Sequence, residues 1–569
     1  MALDQRAPAT GRHGGRPLRH ALGAAAIVAC ALAASQSPPT PSPWRPDNGD
    51  GTYRNPVLFA DYSDPDVVRV GEDYYLVASS FQVAPGLPIL QSRDLVNWTI
   101  VGHAAPTLPD AAFARPQHGK GLWAPSVRYH AGEYWIYVGD PDRGIYVTRA
   151  RDARGPWSPL VLVLEGRGLI DPCPLWDEDG NAYLVHAWAR SRAGFNGVLT
   201  VRRLSPDGLR TVGERIDVFG PRDDQPTIEG PKFYTRNGYY YIFAPAGGVA
   251  AGWQTVLRSR GVLGPYEARI VMDQGRTAVN GPHQGAWVED VEGQSWFVHF
   301  QDRGAYGRVA HLQPMAWRDD WPVIGSDPDG DGRGEPVERH RKPAARTPLV
   351  PTEPGTSDEF DAPRRHSGRP EHRREGAPAL GLQWQWQASP SPDWWSLTDR
   401  PGYLRLRAIA AEAGPAALWN AGQLLLQKFP AERFTATATL DASHLREGDS
   451  GGLVVMGRDY AWVGLRRARG ALHLVLVVAR GADAGGTEET IASVSAPAGT
   501  LQVRATIEPG ARTTFSHRAG TTGPFQPLGT EYVAREGVWI GAKIGIFAAA
   551  ATPTDTPAGF LDVDAFRVE

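Results

Sequence analysis

Apolar and polar positions in this chain fall into short runs, and one arrangement of them recurs five times between residues 64 and 300. A polar residue beside Pro or Gly leads into an apolar strand. A tight polar turn follows, then an aromatic-rich strand whose marker aromatic lies 11 to 13 residues after the leader. The copies read DPDVVRVGEDYYLVAS from Asp64, WAPSVRYHAGEYWIYVG from Trp123, DPCPLWDEDGNAYLVHA from Asp171, EGPKFYTRNGYYYIFAP from Glu229 and HQGAWVEDVEGQSWFVHF from His283. The aromatics Tyr75, Trp135, Tyr183, Tyr240 and Trp296 are 60, 48, 57 and 56 residues apart. A period near 50 with two strands per unit predicts a β-propeller, and five units predict five blades.

In a propeller the innermost strand of each blade lines a central channel, and every blade starts there in the same orientation. The leaders Asp64, Trp123, Asp171, Glu229 and His283 are therefore expected to converge on one pocket. Three carboxylates, an aromatic platform and an imidazole describe a sugar-cleaving site better than a core.

Along the whole chain helical periodicity is scarce, and 65 Gly and 49 Pro punctuate many short apolar runs, as an all-β chain requires. The propeller is expected over 48–337. Residues 338–357, charged and Pro-rich, read as a semi-rigid linker. From 358 to 569, alternating runs such as FTATATLDA, ALHLVLVVAR and LQVRATIE predict a two-sheet sandwich. That domain carries no evident acid pair. The formal charge of −3 with interspersed signs, and no basic run beyond the N-terminus, argues against a nucleic-acid partner.

Residues 1–37 read as an export signal: Arg12, Arg16 and Arg19 precede the apolar stretch 21–34, and a Pro-rich spacer occupies 38–47. Fourteen apolar residues are too few for a transmembrane span. Ile27-Val28-Ala29-Cys30 also fits a lipobox, in which Cys30 would carry a lipid anchor. A small Cys within an ordinary apolar region is the plainer reading. Either places the mature protein outside the cytoplasm. Cys173 is then the one remaining cysteine, expected as a small buried hydrophobe.

Glycoside cleavage needs a proton donor at the leaving oxygen and a carboxylate on the opposite face of the sugar. The donor must keep its proton at neutral pH, and a neighbouring carboxylate raises its pKa by repulsion. Asp64, Asp171 and Glu229 supply the number. Each also has a structural alternative. Asp64 and Asp171 precede Pro, where Asp forms turns. Glu229 is harder to assign to a turn, because Glu is poor there.

These motifs resemble glycoside hydrolase family 43, five-bladed propeller enzymes acting on arabinose- and xylose-containing plant polymers. The match lies in Ser-Asp-Pro-Asp-Val at 63–67, Leu-Trp-Ala-Pro-Ser at 122–126, Leu-Ile-Asp-Pro at 169–172, Glu-Gly-Pro-Lys at 229–232 and Pro-His-Gln-Gly at 282–285. The stretch 300–317 is similar to the arabinofuranosidase and β-xylosidase branch, and 358–569 to the concanavalin-like jelly-roll sandwich that follows many family 43 propellers. The resemblance implies an exo-acting, inverting hydrolase that needs no cofactor and takes plant cell-wall polysaccharide or oligosaccharide. Asp64 would be the general base, Glu229 the general acid and Asp171 the group that orients Glu229 and raises its pKa. Base and acid would stand roughly 6.5–9.5 Å apart. Trp123 and Phe81 would wall the sugar pocket, with Arg308 and Gln284 binding hydroxyls. Core packing is the alternative for both aromatics, and a surface salt bridge for Arg308.

His283 matches a position at which the family holds an axial divalent ion, usually calcium. A neutral, hydrogen-bonded His is the alternative, since hard cations prefer oxygen. Asp327 to Glu338 fits an EF-hand loop pattern, but no amphipathic helix flanks it, and a polar turn is the expected reading. Two other functions are the alternatives: a retaining five-bladed fructosidase, which also uses Asp, Asp and Glu, and a non-catalytic sugar-binding propeller, against which the presence of all three acids argues.

Overall fold

The computed structural model describes residues 42–347, 352–361, 379–410, 417–551 and 559–569. The expected export signal and Cys30 lie outside these residues. Among the described residues, no helix is long and apolar enough to cross a membrane.

Five four-stranded antiparallel sheets follow one another along the chain. Their first strands are Asp66–Val70, Trp123–His130, Leu169–Trp176, Lys232–Arg236 and His283–Glu289. The strands in each sheet pair in chain order, so every blade is one contiguous meander. The first three inner strands pack in sequence, the third touches the fourth, and that of blade five returns to Asp66–Val70. The predicted polar turns are the hairpins that join first and second strands. In blade one Asp66 stands opposite Val77 and Val70 opposite Asp73.

The ring is fastened outside the blades. Thr52–Arg54 pairs with Arg339–Arg341, a strand within the stretch read as linker. Asn55 donates from Nδ2 to the carbonyls of Leu312 and Val337, both at 2.8 Å.

An ionic network crosses the axis. Arg128 from blade two donates to Asp66 of blade one at 2.7 Å and to Cys173 Sγ of blade three at 2.8 Å. Its guanidinium lies 5.0 Å from the Tyr234 ring of blade four. Lys232, fully buried, donates to Pro125 O and Ser126 Oγ at 2.8 Å. Cys173 is thus buried as expected, but as a hydrogen-bond acceptor rather than a bare hydrophobe. Removing one partner of a buried pair strands the other charge. Arg128→Met is expected to cost about 3–5 kcal/mol, read as a lower urea midpoint.

The C-terminal part is a sandwich of two eight-stranded sheets. One contains Leu425–Lys428, Ser450–Met456, Tyr460–Ala468, Ala471–Ala479 and Lys543–Ala550. The other contains Phe434–Asp441, Leu501–Glu508, Arg512–Ala519 and Phe560–Val568. Alternate residues of both sheets, such as Leu453, Val455, Ala436 and Val503, interleave in one apolar core. That core continues into the propeller through Phe59, Tyr306 and Val309. The Tyr306 ring stands 6.1 Å from Phe429, and its hydroxyl accepts from Ala511 N.

The 327–338 stretch is a polar turn. Asp327 accepts from Gly330 N and Gly332 N and pairs with Arg318. Asp329 pairs with Arg276, and Asp331 accepts from Arg333 N.

Candidate active site

Each blade begins with a backbone kink. Asp64, Ala124, Asp171, Gly230 and Gln284 have φ of 53°, 36°, 57°, 60° and 38°. Pro65, Pro125, Pro172 and Pro231 follow the first four, and Gly285 follows the last. These kinked residues are the equivalent positions of the five blades. Asp64 and Asp171 occupy them. Trp123, Glu229 and His283 stand one residue earlier, so the leaders converge on one region without being strict repeats of one another. A one-residue offset in extended chain turns a side chain to a different wall. Glycine at 230 leaves room for Gln284, whose Cδ would lie 2.7 Å from a Cβ there.

Asp64 is buried and surrounded by donors. Ser63 Oγ and Ser79 Oγ donate to its Oδ2 at 2.6 and 2.5 Å. Arg308 Nη1 donates to Oδ1 at 3.0 Å and to Ser63 Oγ at 3.0 Å. Arg308 is therefore a buried clamp on Asp64, not a surface ion pair. Asp171 accepts from Gly230 N at 2.8 Å through Oδ2. This bond reaches from blade three into the backbone beside Glu229.

Burial first, and then repulsion from Asp64, lifts the Asp171 carboxyl well above the ordinary carboxylate range. Burial and then repulsion from Asp171 do the same to Glu229. Asp171 has three compensating influences: the Gly230 N–H, Lys232 and Arg308. Glu229 has only Arg308. Glu229 is the less compensated of the two carboxyls. Its side chain keeps 29% of its surface exposed, so it can reach a ligand.

His283 is fully buried. Burial, then the charge of Arg308, lowers its pKa to about 3, so it is neutral. Its Nε2 lies 3.7 Å from Glu229 Oε1, and neither ring nitrogen has a protein hydrogen-bond partner. The calcium ion suggested here is not supported. Among the described residues no group of three or more His, Cys, Asp or Glu is placed to hold a metal. The Arg308 charge acting on His283 also opposes a second cation. The hydrogen-bonded imidazole offered as the alternative is neutral here but has no protein partner.

Gln284 Nε2 and Trp123 Nε1 are likewise buried without a protein partner. Trp123 is half-buried. Its ring meets Phe81 edge-on at 5.9 Å, and the Arg192 guanidinium lies 5.3 Å above it. Phe81 itself is buried, with its backbone bridged to Leu122.

Three residues here were not signalled by the blade pattern. Ser79 lies two residues beyond the second strand of blade one, Asp73–Val77, donates to Asp64 and accepts from Ala124 N at 2.7 Å. Asp61 accepts from Arg308 N at 3.0 Å. Trp539 comes from the sandwich and stands edge-on to Trp123 at 5.9 Å, with 46% of its surface exposed. An exposed Trp at φ 67° is a signal only structure provides.

The family model for glycosyl hydrolases family 43 matches residues 53–322, and that for the β-xylosidase C-terminal concanavalin A-like domain matches 376–569. A putative β-xylosidase of Xylanibacter ruminicola is 42% identical over 74% of this chain and 73% of its own. A β-xylosidase of Formosa agariphila is 30% identical over 92% of this chain and 91% of its own. A solved family 43 protein from Bacillus licheniformis superposes with a TM-score of 0.75 at 26% identity, covering 91% of this chain and 99% of that one. With this propeller, this sandwich and these relatives, the chain belongs to glycoside hydrolase family 43 and is a glycosidase.

Proposed function

We propose that the protein is an exo-acting, inverting glycosidase that releases terminal β-D-xylose, α-L-arabinofuranose or both from arabinoxylan or xylo-oligosaccharides. The observation that carries this reading is the electrostatic asymmetry of three converging acids. Two of them share a raised affinity for protons, while Arg308 and two hydroxyls clasp the third. Asp64 takes a proton from water as the water oxygen attacks the anomeric carbon. Glu229 gives its proton to the departing glycosidic oxygen. Asp171 holds the backbone at Gly230 and keeps Glu229 protonated by repulsion. The unpartnered donors Gln284 Nε2 and Trp123 Nε1 suit sugar hydroxyls, and Trp123 suits a sugar face. The names of both curated relatives favour xylose.

The test is hydrolysis of aryl β-D-xylosides and α-L-arabinofuranosides, then of arabinoxylan, with the product anomer followed by NMR. First-formed product of retained configuration would overturn the inverting assignment and favour a carboxylate nucleophile. Failure on both glycosides would overturn the substrate class.

The acid must be protonated, so activity falls as pH rises through the raised pKa of Glu229. Asp171→Asn removes the like charge and lowers that pKa. The alkaline limb of the kcat/KM profile is therefore expected to move to lower pH, alongside a fall in rate. An unmoved limb would separate Asp171 from the proton affinity of Glu229.

A further inference from the structure

The sandwich meets the propeller beside Arg308, and one buried side chain bridges the two. Asp61, 3% exposed, lies in the segment before blade one. Its Oδ1 accepts from Arg308 N at 3.0 Å, and its Oδ2 accepts from Gly541 N of the sandwich at 3.0 Å. The approach is tight. A Cβ at Gly307 would lie 2.5 Å from Asp61 Cγ, and one at Gly541 would lie 2.7 Å from Gly307 N. Ala542 N donates to Ala305 O at 2.7 Å next to this joint. Two sandwich lysines, Lys543 buried and Lys428 half-buried, face the Asp61 charge. Lys428 and Lys543 stand directly opposite each other on adjacent sandwich strands, and both interact with Asp61.

We infer that Asp61 is a positioning residue that couples docking of the sandwich to the placement of Asp64 through Arg308. The inference rests on the role proposed for Asp64. One carboxylate fixes the backbone of Arg308, whose Nη1 in turn clasps Asp64. The other half of the same carboxylate is held by the sandwich. The sandwich is then part of the base-side machinery and not only an ancillary module. A shift of about 1 Å in a positioned group costs about 10²-fold in rate.

Asp61→Asn keeps the volume of the side chain but replaces one acceptor with a donor facing an N–H. In the full chain on an aryl glycoside, it is expected to lower kcat about 10²-fold while KM changes less than about threefold. Arg308→Lys breaks the same chain of contacts one step later. The double variant is therefore expected to fall within about threefold of Arg308→Lys alone. Glu432→Gln removes the charge from the Arg303–Glu432 docking pair without touching Asp61, and is expected to stay within about twofold of the parent. Should Asp61→Asn fail to fold, Gly541→Ala displaces the same joint from the sandwich side and should show the same kcat loss and the same non-additivity.

A kcat within about twofold of the parent, losses that multiply with Arg308→Lys, or an equal loss in Glu432→Gln would each overturn the inference. Undiminished turnover in Asp64→Asn would instead overturn the function proposed above.

Discussion

Asp64→Asn is expected to reduce kcat about 10³–10⁴-fold with little change in melting temperature. Asparagine is the informative replacement. It keeps the size of the side chain, and it tolerates the left-handed backbone at φ 53° better than alanine does. It still accepts from Ser63, Ser79 or Arg308 through its carbonyl oxygen. It cannot accept a proton from water. The loss therefore falls on the chemical step, and KM on an aryl glycoside should change little. Thermal unfolding distinguishes lost chemistry from lost structure. Turnover near that of the parent would remove Asp64 from the reaction.

Glu229→Gln should show a loss that depends on the leaving group. With xylobiose the departing oxygen is a poor leaving group and needs a proton, so a fall of about 10²–10⁴-fold is expected. With a dinitrophenyl glycoside the departing phenolate is already stable, and the fall should be less than about tenfold. The substitution also removes the group whose burial and repulsion raise its proton affinity. The alkaline limb of the pH profile should disappear with it. Equal losses on both substrates would assign Glu229 to binding or structure.

The five-blade pattern was legible because each blade must satisfy the same local demands. A kink, an inner strand, a polar turn of two or five residues and an aromatic strand recur. Gly71, Gly132 and Gly238, all with positive φ, mark three of those turns. The phase of the repeat was less legible. Reading from polar leaders placed Glu229 and His283 in register with Asp64, while the kinked backbone places Gly230 and Gln284 there. The prolines at 65, 125, 172 and 231 carry that register in the sequence. They are the better guide, because the backbone kink and not the side chain defines the position.

Other parts of the site left no periodic trace. Ser79 and Arg308 act on Asp64 from 15 and 244 residues away. Trp539 arrives from a different domain, on a loop whose own pattern says nothing about sugars. The calcium expected at His283 came from resemblance alone, and the surroundings of that ring do not support it.

The sequence by itself determined the architecture, since hydrophobic period and turn chemistry are local and recur five times. It also narrowed the candidate acids to three, because each stands at the start of a blade. Only the tertiary structure decided how those acids differ. Proton affinity depends on burial and on which charges stand within a few ångströms. Those neighbours come from other blades and from the sandwich, and no spacing along the chain encodes them.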